Sequence, residues 1–451
     1  MDGLTAKLGK FVAALEFRSL PAQAVETAKR GFIDCTGVMF AGRGEAVVGV
    51  LRESFSFPVV GESKILFDQG QTASPEAALI NTTAGHALDY DDVAIDGHPS
   101  VVLVPAVLAE GERLRASGAE LIAAYVAGYE VWGELASRDA DKHHAKGWHP
   151  SAVFGALAAA AAGARLAKLD AGRSAHALAA AASMAGGLTA NFGSMMKPLQ
   201  VARAAQSGLI AARLAANGFT ASPDALEHRG GFLKAFSPAG RARVDGALAA
   251  GQDWHILKHG LNIKRYPVCY ALHRSIDSLL SLRSGGKIIP EKVMEIEFSI
   301  GRLQAGMLRH SRPQNALDAK FSAEFAAASA VVAGRVGLAE LSDGFVRSAP
   351  VQQMLAKVKV RPVDDPDPDE PLFSRSDQVR VTLADGTVLS GDPVRHARGH
   401  ARNPLGMDDL RAKFTDCVGG ALTVPRREAL FEQLLKLESL AEPAALYGTR
   451  S

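Results

Sequence analysis

Three aspartates and a histidine crowd the stretch Gly85-His86-Ala87-Leu88-Asp89-Tyr90-Asp91-Asp92, and Gly97-His98-Pro99-Ser100 adds a second imidazole five residues later. Carboxylates and imidazoles are unfavourable to gather unless they hold a charged ligand, hold a metal or move protons. Three later islands have the same texture: Lys146-Gly147-Trp148-His149-Pro150-Ser151, Ser194-Met195-Met196-Lys197-Pro198-Leu199-Gln200 and Asn262-Ile263-Lys264-Arg265-Tyr266-Pro267-Val268-Cys269. Together the four read as an acid/base site with a cationic rim for an organic acid.

Each island gains weight from its place beside a helix start. His98-Pro99-Ser100 and His149-Pro150-Ser151 each end a loop and open a long apolar helix, so both rings can face one site, where imidazole suits proton transfer at neutral pH. Lys197 stands at the start of a third helix. An ammonium beside the positive end of a helix is unfavourable unless an anion joins them, which points to a carboxylate-bearing substrate. Lys264 extends that argument. Asp89 falls to the role of orienting an imidazole, while Asp92, Arg203, Tyr266 and His273 are candidates for substrate contact. If the helix beginning at Pro75 runs on to Asp92, the carboxylates occupy its last turn, where the dipole penalises negative charge.

Other chemistries fare worse. His86, Asp89, Asp91, Asp92 and His98 include metal-ligand types, but no helical His-x-x-x-His pair accompanies them and Lys197 is a poor neighbour for a metal, so no metal is expected. Asp91-Asp92-Val93-Ala94-Ile95-Asp96 has one residue too many for the Asp-Asp-x-x-Asp motif that holds magnesium diphosphate in helical prenyl transferases. No GxGxxG after a strand, Walker lysine or GxSxG supports a nucleotide cofactor or serine hydrolysis. With 451 residues, 22% of them charged, and a net charge of +2, the chain has no global field to recruit nucleic acid or anionic lipid. The three cysteines form no CxxC pair, which fits a reducing, cytoplasmic setting. The N-terminus lacks the apolar core of a secretory leader, and Arg165 and Lys168 interrupt the alanine-rich run well short of a bilayer span.

The elements that must position these residues follow from apolar periodicity. Up to about Gly260 the pattern recurs at three and four residues, predicting helices over Leu4 to Leu15, Pro21 to Phe40, Glu45 to Phe55, Pro75 to Leu88, Val101 to Ser117, Ala119 to Ala136, Ser151 to Leu169, Arg173 to Ala185 and Pro198 to Asn217. After Gly285 it alternates over Lys292 to Ile300, Val358 to Arg361 and a hairpin, Gln378 to Leu383 and Thr387 to Ser390, on an Asp-Gly turn. Helical stretches at Ala316 to Val332, Gly337 to Asp343 and Val351 to Lys357 complete a small antiparallel sheet with helices on one face. Helical periodicity returns at Met407 to Cys417 and Arg426 to Leu440. The fold class is therefore mainly α: a large all-helical domain from both chain ends, residues 1–265 plus 400–451, with an inserted smaller α+β lid domain, residues 266–399.

The His-Ala-Leu-Asp-Tyr-Asp-Asp, Gly-His-Pro-Ser, Gly-Trp-His-Pro-Ser, Met-Lys-Pro-Leu-Gln and Lys-Arg-Tyr-Pro-Val-Cys motifs, in this order, resemble the MmgE/PrpD family. The resemblance extends through Ala319-Lys320-Phe321-Ser322 to Gly399-His400-Ala401-Arg402-Asn403-Pro404. It implies homodimers and a site at a domain boundary that needs no organic cofactor. Carried over by position, the family's pocket residues are Asp89, His98, His149, Lys197 and Lys264. The family includes 2-methylcitrate dehydratase, cis-aconitate decarboxylase and iminodisuccinate epimerase. Val93 stands where the decarboxylase pattern has threonine, and Phe325 where a tyrosine often follows Ala-Lys-Phe-Ser, which disfavours decarboxylation.

The expected activity is a cofactor-independent lyase, a dehydratase like the one that acts on 2-methylcitrate, taking a small di- or tricarboxylate. It removes a proton α to a carboxylate, while Lys197 and Lys264 stabilise the enediolate-like charge. His149 is assigned as base and His98 as the second proton carrier. Epimerisation of an iminodisuccinate-like acid uses the same intermediate. A non-catalytic organic-acid binder is the competing class; under it a His149→Gln change leaves binding intact with no turnover to lose. Expected partners are limited to the small carboxylate and a second copy of the chain.

Overall fold

The computed structural model describes residues 3–55, 61–68 and 70–447 and divides into two compact units, 1–261 with 407–451, and 262–406. Among the described residues of the first unit up to Ala216, the α-helices are α1 (Leu4–Ala14), α2 (Ala22–Gly42), α3 (Ala46–Ser54), α4 (Ser74–Ala87), α5 (Pro99–Leu114), α6 (Gly118–Ser137), α7 (Pro150–Leu166), α8 (Ala171–Ala182) and α9 (Met196–Ala216). Their starts follow local chemistry. Proline occupies the first turn of α4, α5 and α7, and Ser117 with Glu120 closes a capping box on α6. The unit is not wholly helical: β1 (Ser63–Lys64) and β2 (Gln71–Thr72) form an antiparallel ribbon too short to show alternation in the sequence. Among the described residues no helix is long and apolar enough to cross a membrane.

Small residues set the helix spacing on which the site depends. A Cβ on Gly155 would meet Ala204 Cβ at 3.4 Å, one on Gly208 would meet Ala159 Cβ at 2.4 Å, and one on Gly163 would meet Ala212 Cβ at 2.9 Å. Positions 155, 159 and 163 thus oppose 204, 208 and 212 at a constant offset, so α7 and α9 run parallel with their N-termini together. Glycine and alanine at every fourth position line one face of each helix and let the backbones approach. The start of α5 joins them, since Val102 packs on Gly155 and the His98 N–H donates to Ser151 Oγ at 3.1 Å.

The second unit contains α10 (His273–Ser284), β3 (Val293–Gly301), α11 (Arg302–Met307), helical turns at Ala316–Ala319 and Asp343–Val346, α12 (Ala323–Val332), α13 (Ala349–Leu355), β4 (Val358–Val363), β5 (Gln378–Leu383) and β6 (Val388–Ser390). The sheet order is β4-β3-β5-β6, and β3 pairs with β4 in parallel. This corrects the expected antiparallel sheet: the helices between β3 and β4 form a crossover, and a crossover returns the chain in the same direction. Ser322 caps α12 by accepting from the Phe325 N–H, so the stretch predicted as one helix from Ala316 is broken. Inward-facing Val293, Ile296, Phe298 and Ile300 pack with Phe325, Val379 and Val381 in this unit's core. The first unit then resumes with α14 (Met407–Val418) and α15 (Val424–Leu435).

Candidate functional site

Helix α4 stops at Ala87, and Asp89 turns the chain with φ +53°. The acidic run is therefore loop, as the helix end expected at Leu88 requires, and the dipole penalty of a helix continued to Asp92 does not arise. A second reversal follows: Ile95 and Asp96 have φ +49° and +59°, and Ala94 and Gly97 exchange backbone hydrogen bonds across them at 2.9 and 3.0 Å. A β-branched residue at positive φ is strained by roughly 1–3 kcal/mol. Tertiary contacts hold it, among them Trp132 Nε1–H donating to Ile95 O at 3.4 Å. A Cβ on Gly97 would lie 2.6 Å from Trp132 and 3.0 Å from Ser151 Oγ, so only glycine lets this turn reach the start of α7.

The turn delivers His98 to the N-cap of α5, and His149 caps α7 in the same way. Lys197 lies in the first turn of α9, which begins at Met196, two residues before the start expected at Pro198. Three helix N-termini thus converge with one ammonium, and their dipoles with this charge favour a bound polyanion.

Asp91 organises the imidazoles. Fully buried, it accepts from His86 Nδ1 at 2.9 and 3.0 Å and from His98 Nδ1 at 3.0 Å, and the Asp92 carbonyl accepts from His98 Nδ1 at 2.9 Å. Burial alone would raise the Asp91 carboxyl, but the two rings outweigh it and hold it ionised, well below the usual range. With only acceptors around each Nδ1, both neutral rings carry the proton there, leaving Nε2 as the lone pair. Burial, with Lys197 and His98 adding to it, brings His86 down to about 4, and its Nε2 has no hydrogen-bond partner. His98 is the more open ring, its side chain 12% exposed, and its Nε2 points toward Asp89 at 3.9 Å.

Asp89 in turn accepts from Lys197 Nζ, whose ammonium lies 5.3 Å from the Phe192 ring centre. Phe192 also sets its edge against His149 at 4.8 Å. The His86 ring is 4.6 Å from His98 and 6.1 Å from His149, which closes the group. Burial pushes His149 well below its ordinary pKa, and the charges of Lys197, His86 and His98 add to this. From the chain's far end, Lys413 on α14 donates to Tyr90 O at 2.8 Å and pairs with Asp34 at 2.6 Å, bracing the acidic run from behind.

Of the residues expected from sequence, Asp89, His98, His149 and Lys197 come together. Asp92 does not offer itself to a substrate: it is fully buried, and burial with Asp34 and Asp91 nearby pushes its carboxyl well above the usual range. Arg203 is also misplaced. It is exposed on α9, where it donates to Gln206 at 2.5 Å, because six positions beyond Lys197 carry it roughly 240° around the helix. Lys264, Tyr266 and His273 are buried in the second unit, where Tyr266 donates to Asp277 Oδ1 at 2.7 Å and His273 Nε2 donates to Val268 O at 3.3 Å. Sequence reasoning missed His86, Asp91 and Gln200 as working residues, although each lies inside a singled-out motif, and Phe192, which no motif marks.

Ligand atoms of His86, Asp89, Asp91 and His98 lie within 4.8 Å of one another, as do those of Glu370, His396 and His400 in the second unit. In both sets the carboxylates already have protein partners. In the first, both Nδ1 protons are spent on Asp91 and the Lys197 ammonium already neutralises Asp89. In the second, His400 Nδ1 accepts from the Arg402 N–H, so its Nε2 proton goes to Glu370, which Arg274 also pairs.

The sequence matches the MmgE/PrpD N-terminal domain over residues 6–244 and the MmgE/PrpD C-terminal domain over residues 266–437. It is 27% identical to a cis-aconitate decarboxylase of Mus musculus across 99% of this chain and 93% of the relative. Similar values hold for the human cis-aconitate decarboxylase, 26% over 99% and 94%, and for that of Aspergillus terreus, 26% over 98% and 94%.

Proposed function

This chain belongs to the MmgE/PrpD family and is an enzyme of its lyase type, and on that premise we propose that it is a cofactor-independent lyase for a small di- or tricarboxylate, working at the carbon next to a carboxylate. The observation that carries this reading is the His98–Asp91 pair beside the Lys197–Asp89 pair at three converging helix N-termini. His98 Nε2, with Asp91 holding the opposite nitrogen, is the base that takes the α-proton. The resulting charge spreads onto the carboxylate, where Lys197 and the helix N-termini stabilise it. The bond from the neighbouring carbon to its hydroxyl then breaks, and the oxygen leaves as water with the proton that His98 carried. Asp89 keeps the Lys197 ammonium in place. Lys264 remains a proposed second cation for the substrate, on the strength of the motif that surrounds it.

Dehydration of a citrate-like 2-methylcitrate analogue is the favoured outcome, given Val93 and Phe325 at positions where hydroxyls belong to the decarboxylase pattern. Decarboxylation of a cis-aconitate-like acid is the second reading, favoured by the names of relatives that align over nearly the whole chain. Epimerisation would return the proton to the opposite face of the same intermediate. Assembly as a homodimer and a cytoplasmic setting belong to this reading; the three cysteines are buried and joined in no disulfide, as suits a reducing compartment. The test is to incubate the purified protein separately with 2-methylcitrate, citrate, cis-aconitate and iminodisuccinate and identify products by NMR. Conversion of one acid by water loss supports the proposal. Carbon dioxide release supports the second reading, and no conversion of any overturns both.

A further inference from the structure

The tautomer of His149 is set by a side chain to which none of the chemistry above assigns a part. Gln200 Nε2 lies 2.7 Å from His149 Nδ1. Which end of this amide faces the ring is fixed independently by the main chain of Leu188: its N–H donates to Gln200 Oε1 at 3.0 Å, and its carbonyl accepts from Gln200 Nε2 at 3.2 Å. An amide flip would break both of those bonds. One N–H of the amide thus serves Leu188 and the other is aimed at the ring, so His149 Nδ1 must accept, and the proton of the neutral ring sits on Nε2. This is opposite to His98, whose Nδ1 faces two acceptors.

The surroundings are built to keep this arrangement. Gly187 allows the close approach: a Cβ there would lie 2.5 Å from Ala152 Cβ and 3.1 Å from Gln200 Cδ. The Gly187 carbonyl accepts from the His149 N–H at 2.9 Å, so one short segment holds both the backbone of the histidine and the amide that governs its ring. Gln200 is 3% exposed and His149 1%, which shields the pair from exchange of partners with water. Among the described residues no protein group takes up His149 Nε2.

We propose that Gln200 is a positioning residue that locks His149 as a neutral Nε2–H donor, and that His149 therefore stabilises charge on a substrate carboxylate oxygen by hydrogen bonding rather than acting as the base. This rests on the lyase reading for its catalytic half and reverses the role expected of His149 from sequence. No proton leaves the ring; the N–H shortens its bond to the oxygen as charge builds there, and the base work falls to His98. Neutral imidazole is the better form for this duty, because a charged ring beside Lys197 would bind the ground-state carboxylate as strongly as the transition state.

The tautomer can be read without any substrate. In protein labelled with ¹⁵N-histidine, the His149 resonances, assigned by their loss in His149→Gln, show a bare, pyridine-type Nδ1 and a protonated, pyrrole-type Nε2. In Gln200→Glu the carboxylate accepts from Nδ1, the pattern inverts, and kcat falls on the order of 10²-fold or more with KM little changed. A protonated Nδ1 in the unmodified protein overturns the proposal, and so does an inverted ring in Gln200→Glu with kcat intact. If instead no acid is turned over but the unmodified ring shows the expected pattern, the tautomer lock stands and the lyase reading falls.

Discussion

Replacing Asp91 by asparagine tests the imidazole arrangement with a change of one atom type and almost no change in volume. The carboxylate receives Nδ1–H from two rings, whereas a carboxamide has one acceptor oxygen and an NH₂ group. One ring then meets a donor and must change tautomer or break its bond. His98 also loses the anion that stabilises the imidazolium it becomes on taking a proton. At about 4 Å and an effective dielectric constant of roughly 20, that interaction is worth about 4 kcal/mol, or on the order of 10³ in rate at 1.36 kcal/mol per decade. Steady-state kinetics on the turned-over acid should show kcat down by this factor with KM within a few-fold, and circular dichroism should show an unchanged fold. A kcat within ~10-fold of the parent would refute the assignment of Asp91 and His98 as a working pair.

Burial of His86 as a neutral ring makes the first unit acid-sensitive. Its pKa is about 4 folded against 6.5 free, so the unfolded chain binds the extra proton in between; stability is intact above about 6.5 and falls by about 3 kcal/mol on reaching pH 4. Urea unfolding across that window should show the loss, with a flatter profile for His86→Gln. Gly97→Ala drives a methyl into Trp132 and Ser151; it should cost roughly 1–3 kcal/mol in unfolding free energy and depress kcat further than that loss alone, because it separates the two loops that carry His98 and His149. Lys197→Met takes the ammonium away from the buried Asp89 carboxylate and should cost roughly 3–5 kcal/mol. Adding Asp89→Asn should restore thermal stability and leave activity low, whereas recovery of both would mean that the pair is only structural.

The helices of the first unit were legible because each carries its own signals: Pro99 and Pro150 in the first turn, Ser117 with Glu120 as a capping box. The grouping of Asp89, His98, His149 and Lys197 was legible as well, from their residue types beside helix starts. The parallel strand pairing of β3 and β4 was not, because alternation marks a strand but not the direction of its neighbour. The end of α4 was legible to within one residue, at Leu88 expected against Ala87 observed, but nothing local to the sequence announces the positive φ at which Asp89 then turns the chain. Asp92 and Arg203 were misjudged for one reason: adjacency along the chain was taken for adjacency in space, while the turn at Asp89 directs Asp92 inward and the pitch of α9 carries Arg203 outward. His86 and Gln200 escaped notice since their roles are relational. His86 acts through the Asp91 carboxylate five residues on, and Gln200 through a ring nitrogen 51 residues away.

The account rests on His98 Nε2 removing hydrogen from carbon. The most direct measurement is the exchange of α-hydrogen for deuterium when the acid that is turned over is incubated in D₂O, followed by proton NMR with the parent protein and with His98→Gln. The parent should exchange or eliminate that hydrogen, and His98→Gln should do so slower by on the order of 10² or more while still binding the acid. Equal exchange rates in the two proteins would contradict it.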